Sequence, residues 1–385
     1  MAQTLKLGIA GLGNAGQAVL RDLSAVPEIA LGAVADLRQE ALAACRAKNP
    51  LVEIYGSVEA MCQSKNVDAV WIATPNEFHA AHAVAAAHGG KHVVCEKPMA
   101  LSLSECDRMI EAAAKNRVQL LMHSKAGDPP IRQMREIITS GRLGRPIQIN
   151  SWNYKSWLNY PRLPAELDSA KGGGIVFRQG SHQVDIVRTI GGGLIKNLRA
   201  ITGRWHPRFD TEGNYTAFVE FADGTPATLV FNGYGGFDMT ELTWGIGEGG
   251  YASSERAAPP VAAATPVSKE AKYAEPTRAE RRQRTGPRRQ PFFGLTVVSC
   301  EKGDIRQSPD GLYVYTGEGR EEIVCAPFMD RAGELRRLYE AAIESRPEFA
   351  DGKWGKATLE VLLAIIQSSK ERREITLAHQ VPCTL

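Results

Sequence analysis

Three sets of residues have the types and spacing to do chemistry together. In "GIAGLGNAGQ", Gly11, Gly13 and Gly16 form a G-x-G-x-x-G pattern directly after an apolar run and at the opening of a helical pattern. Gly11 permits a tight turn, Gly13 with Asn14 and Ala15 lets a pyrophosphate approach the backbone, and Gly16 lets helix and strand pack closely. Asp36 ends the next apolar run, about 20 residues further on, where a carboxylate holds the ribose hydroxyls of a dinucleotide. Because that carboxylate repels a 2′-phosphate, the cofactor reading is NAD. Arg38, two residues on, is the opposing sign, since a guanidinium there can accept the phosphate or stack on adenine.

The second set is Glu96-Lys97-Pro98, which stops the run His92-Val93-Val94-Cys95. Hydride leaves a carbinol carbon only as its O–H proton is drawn away, so a dehydrogenation site needs a base or donor within about 2.6–3.2 Å of that oxygen. An unperturbed lysine, with a pKa of about 10.4, holds its proton too tightly for this at neutral pH. Partial desolvation and a neighbouring cationic nicotinamide would each lower it. The third set is His182 and Asp185 in "GSHQVDIVR", where a helix puts both on one face and the carboxylate can fix the imidazole tautomer.

The elements that must position these groups follow a change of grammar along the chain. Over the first 124 residues, apolar strands (5–11, 30–36, 67–74, "HVVCE", "VQLLMH") alternate with helical patterns, which predicts βαβ units and a doubly wound parallel sheet with α/β architecture. Thr74, Asn76 and His79 in "ATPNEFHAAHA", like Glu96, then lie at carboxyl ends of strands, where such sheets bind ligands. From about 147, strand patterns succeed one another ("IQINSWNY", "NLRAITGRW", "TAFVEFADG", "PATLVFNG", "GLTVVSCEKGDI", "GLYVYTG"). They predict an α+β second domain over 125–385 with an open, mainly antiparallel sheet, covered in part by the late helices "AGELRRLYEAAIES" and "GKATLEVLLAIIQSSKERR". Residues 252–291 combine Ala, Pro, Ser and Thr with clustered arginines and few large apolar side chains, and are expected as a flexible basic excursion.

Composition excludes several classes. With 385 residues, 43% hydrophobic and 23% charged, the chain is ordinary globular protein of two-domain length. A net charge of +3 gives no broad case for nucleic acid, and no apolar stretch is long enough for a membrane span. The N-terminus runs straight into a strand pattern without a signal-peptide core, so a cytoplasmic protein is expected. The 7 cysteines are scattered without a C-x-x-C pair, so neither a metal site nor a disulfide framework is expected. An open sheet face needs a cover, and a homodimer or homotetramer through that sheet is the expectation.

Taken together, G-x-G-x-x-G, "ATPNEFH" and "GKHVVCEKP" resemble the motifs of the glucose-fructose oxidoreductase and inositol dehydrogenase family, and "GGGIVFRQGSHQVD" resembles its second-domain motif. The resemblance implies that Lys97 lies beside the substrate hydroxyl and nicotinamide, that Glu96 contacts the nicotinamide end, that Lys97–Pro98 is often cis, and that His182 acts with Lys97. One departure is informative: where the family usually has aspartate one turn before the histidine, this chain has Arg178. A guanidinium there favours neutral imidazole and offers a bidentate donor for a carboxylate. With Arg162 and Lys155 among Trp152, Tyr154, Trp157 and Tyr160, it points to a flat anionic ring as substrate. "VFRQGSHQVDIVR" and the segment 293–315 are similar to the phthalate 4,5-cis-dihydrodiol and chlorobenzoate dihydrodiol dehydrogenases of that family. This implies NAD-dependent oxidation of a carboxylated cis-dihydrodiol to a catechol, in aromatic-acid degradation. The alternatives are an inositol or sugar-acid dehydrogenase of the same family, or a nucleotide-binding sensor without catalysis.

Overall fold

Buried on both faces, a parallel strand needs continuous apolar sequence, and the first strands have it. The computed structural model describes residues 3–207, 209–252, 267–268 and 286–385. The expected excursion at 252–291 lies mostly outside these residues. Among the described residues, β1 (Leu5–Ala10), β2 (Ile29–Ala35), β3 (Glu53–Tyr55), β4 (Ala69–Ile72), β5 (His92–Cys95) and β6 (Leu120–Met122) form one sheet in the order β3-β2-β1-β4-β5-β6. Every pairing in it is parallel. The strand order reverses between β1 and β4, which makes their carboxyl ends the ligand crevice of a doubly wound sheet. Helices α1 (Asn14–Asp22), α2 (Gln39–Lys48), α3 (Val58–Cys62), α4 (His79–His88) and α5 (Leu103–Asn116) connect the strands. Ser102 caps α5 with a reciprocal capping box to Glu105. Helix α6 (Pro129–Thr139) follows β6.

The second sheet obeys different rules. Strands β7 (Pro146–Tyr154), β8 (Ile195–Gly203), β9 (Asn214–Phe221), β10 (Pro226–Asn232), β11 (Leu295–Cys300), β12 (Gly303–Gln307), β13 (Gly311–Thr316), β14 (Gly319–Val324) and β15 (Ile375–Thr376) run in the order β14-β13-β12-β11-β7-β10-β9-β8-β15. Among the described residues of this sheet, only β7 and β10 pair in parallel; the other ladders are antiparallel. "GLTVVSCEKGDI", expected as one strand, is two, because the chain reverses after Cys300 and pairs back on itself from Gly303. Short α7 (Pro164–Leu167) and α8 (Ser181–Ile190) lie between β7 and β8, and α8 packs on β7 and β10. The other face keeps Trp152, Ile201 and Phe218 between a third and a half exposed. Trp152 stands in register with Leu295 and Val230, and Val230 with Thr216, so one outward row crosses strands β11, β7, β10 and β9.

The chain divides into two compact units, Met1–Ser124 with Met329–Leu359, and Lys125–Phe328 with Glu360–Leu385. Thus the expected second domain over 125–385 gives up residues 329–359 to the first unit. Helix α9 (Arg331–Ile343) was expected to cover the antiparallel sheet, but its Leu335, Leu338 and Tyr339 pack with Leu5, Leu7 and Ile9. Helical periodicity shows that a face is buried, not against which sheet. The last helix, α10 (Gly352–Glu371), contributes to both units in turn. All seven cysteines are free, and all but half-buried Cys325 are buried. Burial pushes the Cys62 thiol up to about 11 and that of Cys106 to about 12, so both stay protonated at neutral pH. No helix among the described residues is long and apolar enough to cross a membrane.

Candidate functional site

Gly11 has φ +92°, and a Cβ there would stand 2.6 Å from the carbonyl oxygen of Ala73. A Cβ on Gly16 would stand 2.0 Å from the carbonyl oxygen of Gly11, so only glycine lets α1 approach the β1 turn. Gly13 is the N-cap of α1, Asn14 and Ala15 open it, and no acidic side chain occupies its first turn. Positive dipole and unopposed N–H groups therefore fit a phosphate at this end. At the end of β2, Asp36 accepts hydrogen bonds from Leu12 N–H (2.7 Å), from Arg38 N–H (2.9 Å) and from the Arg38 guanidinium (3.0 and 3.1 Å). Burial raises its pKa, but these hydrogen bonds outweigh burial and leave it below the usual value. Arg38 therefore lies on Asp36, beside an ionised carboxylate that repels a 2′-phosphate. This arrangement fits NAD.

Across the crevice, the two strand-end loops are tied together by His79. Its buried ring presents Nδ1 to the Pro98 carbonyl oxygen (2.8 Å) and Nε2 to that of Thr74 (2.9 Å). His79, expected to meet the cofactor, has a fully buried ring whose two nitrogens tie these loops together. Thr74 Oγ1 bonds His82 Nδ1 at 2.9 Å, and Asn76 is buried in the short turn after β4. Lys97 is half-buried at the end of β5, and the Lys97–Pro98 peptide is cis. Glu96, expected at the nicotinamide end, turns its carboxylate to Arg331, 2.7 Å away in α9. Arg331 also pairs with Glu334 at 2.8 Å, and Glu334 with His123 at 2.6 Å. Burial opposes ionisation of Glu96 and Glu334, yet Arg331 and His123 hold both carboxylates below the usual range.

In the second unit, a π-helical turn, Val176–Gly180, runs straight into α8 and carries Arg178. Its guanidinium is 2.9 Å from Glu166 Oε1, so part of its charge is already answered within the protein. His182 and Asp185 are both buried. The His182 ring meets Phe293 edge-on at 5.2 Å, and the Asp185 carboxylate accepts from Ala126 N–H at 3.1 Å. Tyr154 packs on Phe237 at 5.8 Å. Trp157 and Arg162 were expected to meet substrate; the structure has them serve each other. The guanidinium covers the indole at 3.8 Å and donates to the Trp157 carbonyl oxygen at 3.1 and 2.8 Å, while Trp157 is buried. The stacked, hydrogen-bonded arginine holds its loop against the indole.

One residue that sequence reasoning missed, Gln183, positions the helix that carries this unit's histidine. Gln183, fully buried beside it, donates to Ser151 and Val230 carbonyl oxygens (2.8 and 3.2 Å) and accepts from Tyr215 O–H (2.5 Å). These bonds pin α8 to β7, β9 and β10 and so fix where His182 stands. The available signal was a lone amide inside an apolar helix face, and its partners are scattered in sequence.

Residues 5–124 match the oxidoreductase family model with an NAD-binding Rossmann fold, and residues 131–244 match the C-terminal domain model of the GFO/IDH/MocA proteins. The chain is 32% identical over 378 residues, 95% of each chain, to the 1-carboxy-3-chloro-3,4-dihydroxycyclohexa-1,5-diene dehydrogenase of Comamonas testosteroni. It is 28% identical over 200 residues, 51% of this chain and 58% of the other, to the myo-inositol 2-dehydrogenase of Thermotoga maritima. A crystal structure from Bordetella bronchiseptica RB50, described as a dehydrogenase, superposes with TM-score 0.87 at 36% identity, covering 97% of this chain and 100% of that one. A tight glycine turn at a helix N-terminus, an ionised carboxylate at the end of the next strand and similarity along nearly the whole chain lead to one assignment: this chain belongs to the GFO/IDH/MocA family of NAD-binding oxidoreductases.

Proposed function

We propose that the chain oxidises a carboxylated aromatic cis-dihydrodiol, of the phthalate 4,5-cis-dihydrodiol type, to the corresponding catechol. The observation that carries this reading is the similarity over 95% of both chains to an enzyme whose name describes a carboxylated, chlorinated cyclohexadiene diol. The inositol enzyme, by contrast, matches about half of this chain. Arg178 in place of the aspartate expected of sugar-oxidising relatives supports an acidic substrate, although Glu166 shares its charge.

NAD, when bound, supplies the hydride acceptor. Lys97 and His182 are the acid–base pair: as one CHOH loses hydride from carbon, its O–H proton passes to one of them. The resulting cyclohexadiene ketone enolises to an aromatic catechol, which draws the reaction forward. Asp185 orients the helix that carries His182 through its bond to Ala126. Self-association through the outward row of Trp152, Val230 and Leu295 gives a homodimer or homotetramer, and sedimentation of a monomer at working concentration would contradict it. The substrate reading is tested by initial rates of NADH formation with phthalate cis-dihydrodiol, a benzoate cis-dihydrodiol and myo-inositol. Faster turnover of myo-inositol than of either carboxylated diol would reverse the choice.

A further inference from the structure

The second unit contains a cavity of about 260 Å³ lined by Lys155, Glu248, Asn153, Thr240, Tyr251 and Phe292. That is just below the roughly 300–1,000 Å³ of pockets for drug-sized ligands, and suits a single ring. Its charged member is unusual. Lys155 is buried, with its ammonium 5.3 Å from the Phe293 ring centre and 5.9 Å from that of Phe231. The same Phe293 ring meets His182 edge-on at 5.2 Å, so one aromatic ring separates the ammonium from the proposed acid–base histidine.

Lys155 is ion-paired to Glu248, and the two partners are not equivalent. The lysine side chain is 8% exposed, whereas that of Glu248 is 38% exposed. Glu248 also sits in the glycine-rich run Gly245-Ile246-Gly247-Glu248-Gly249-Gly250. A buried ammonium requires an anion beside it, because leaving it without one is costly. A carboxylate that already faces water gives up little on moving fully into it. The position therefore demands a carboxylate while leaving Glu248 exchangeable.

We propose that this cavity is the subsite that reads the substrate carboxylate, with Lys155 as the specificity-determining cation and Glu248 as the protein's own carboxylate, displaced when an aromatic acid enters. A neutral diol cannot take Glu248's place, so the pair discriminates against uncharged rings as well as attracting charged ones. This inference rests on the dihydrodiol reading above, but it is testable apart from it.

The test is calorimetric binding of protocatechuate and of catechol, which differ by one carboxylate, to the full chain with NAD present. The wild type is expected to prefer protocatechuate, and Lys155→Met to lower that preference on the order of 100-fold, as loss of a charge-assisted hydrogen bond does. Glu248→Gln, which removes the competing carboxylate and keeps the fold of the loop, should tighten protocatechuate several-fold. An unchanged preference in a folded Lys155→Met variant, weaker protocatechuate binding in Glu248→Gln, or no preference in the wild type would each overturn the proposal. Lys155-dependent preference without turnover of any carboxylated dihydrodiol would instead remove the proposed reaction and keep the subsite. Turnover with the preference intact in Lys155→Met would do the reverse.

Discussion

Arg331, in α9, holds its guanidinium 2.7 Å from the carboxylate of Glu96, the residue that precedes Lys97. The arginine lies over Trp71 of β4 at 5.5 Å and also answers Glu334. A helix from late in the chain thus anchors the loop that carries the proposed catalytic lysine. The anchor is a buried cation held between two buried carboxylates, so its removal leaves both carboxylates short of a partner.

Arg331→Met should therefore destabilise the protein by about 3–5 kcal/mol, the usual effect of breaking a buried ion pair from one side. Urea denaturation followed by circular dichroism measures this. A loss below about 1 kcal/mol would mean that the network is replaceable by apolar packing.

The same network sets an acid limit. Glu96, Glu334 and Asp36 all titrate below their ordinary values in the folded chain. Their contribution is complete above the unfolded values of about 3.9 for Asp and 4.3 for Glu, and is lost as pH falls towards the folded ones. The urea midpoint should hold from neutrality to about pH 5 and then drop steeply, each unit of depression being worth about 1.4 kcal/mol. Arg331→Met should flatten that drop; an equally steep fall in the variant would place the acid sensitivity elsewhere.

Asp36→Ala removes the carboxylate and releases Arg38 from its three hydrogen bonds to it. Relative kcat/KM should move from NAD towards NADP by about 10- to 100-fold, the range expected for loss of a charged hydrogen-bond partner and a repulsion. Wild-type kinetics with both cofactors provide the baseline, and a wild-type preference for NADP would refute the role given to Asp36.

Lys97→Ala should lower kcat by about 10²–10⁴-fold, the contribution of general acid–base catalysis, while NAD affinity measured by titration changes little. Turnover at the wild-type rate would remove Lys97 from the chemistry. A parallel loss of NAD affinity would assign it to cofactor binding.

Much of this molecule was legible without a structure because its information is local. Glycine spacing after β1, an acid at the end of β2 and period-two or helical alternation each need only a few neighbouring residues, and the parallel sheet, the antiparallel sheet and the nucleotide-binding turn follow from them. The segments that escaped are short or end-on: β3 and α3 carry too few residues to show a period, and the β11–β12 reversal needs only Glu301 and Lys302 at its tip.

Tertiary structure alone decided which side chains are answered inside the protein. Nothing local in the sequence pairs Arg162 with the Trp157 indole beneath it, or Glu96 with Arg331 about 235 residues further along the chain. Leu335 and Leu338 of α9 read as cover for the nearer sheet until they are found in one core cluster with Leu5 and Leu7 of the parallel sheet. In each case the sequence determined the residue's chemistry, because that is covalent. Its partner depends on contacts between segments far apart in the chain, and those exist only once the whole core has closed.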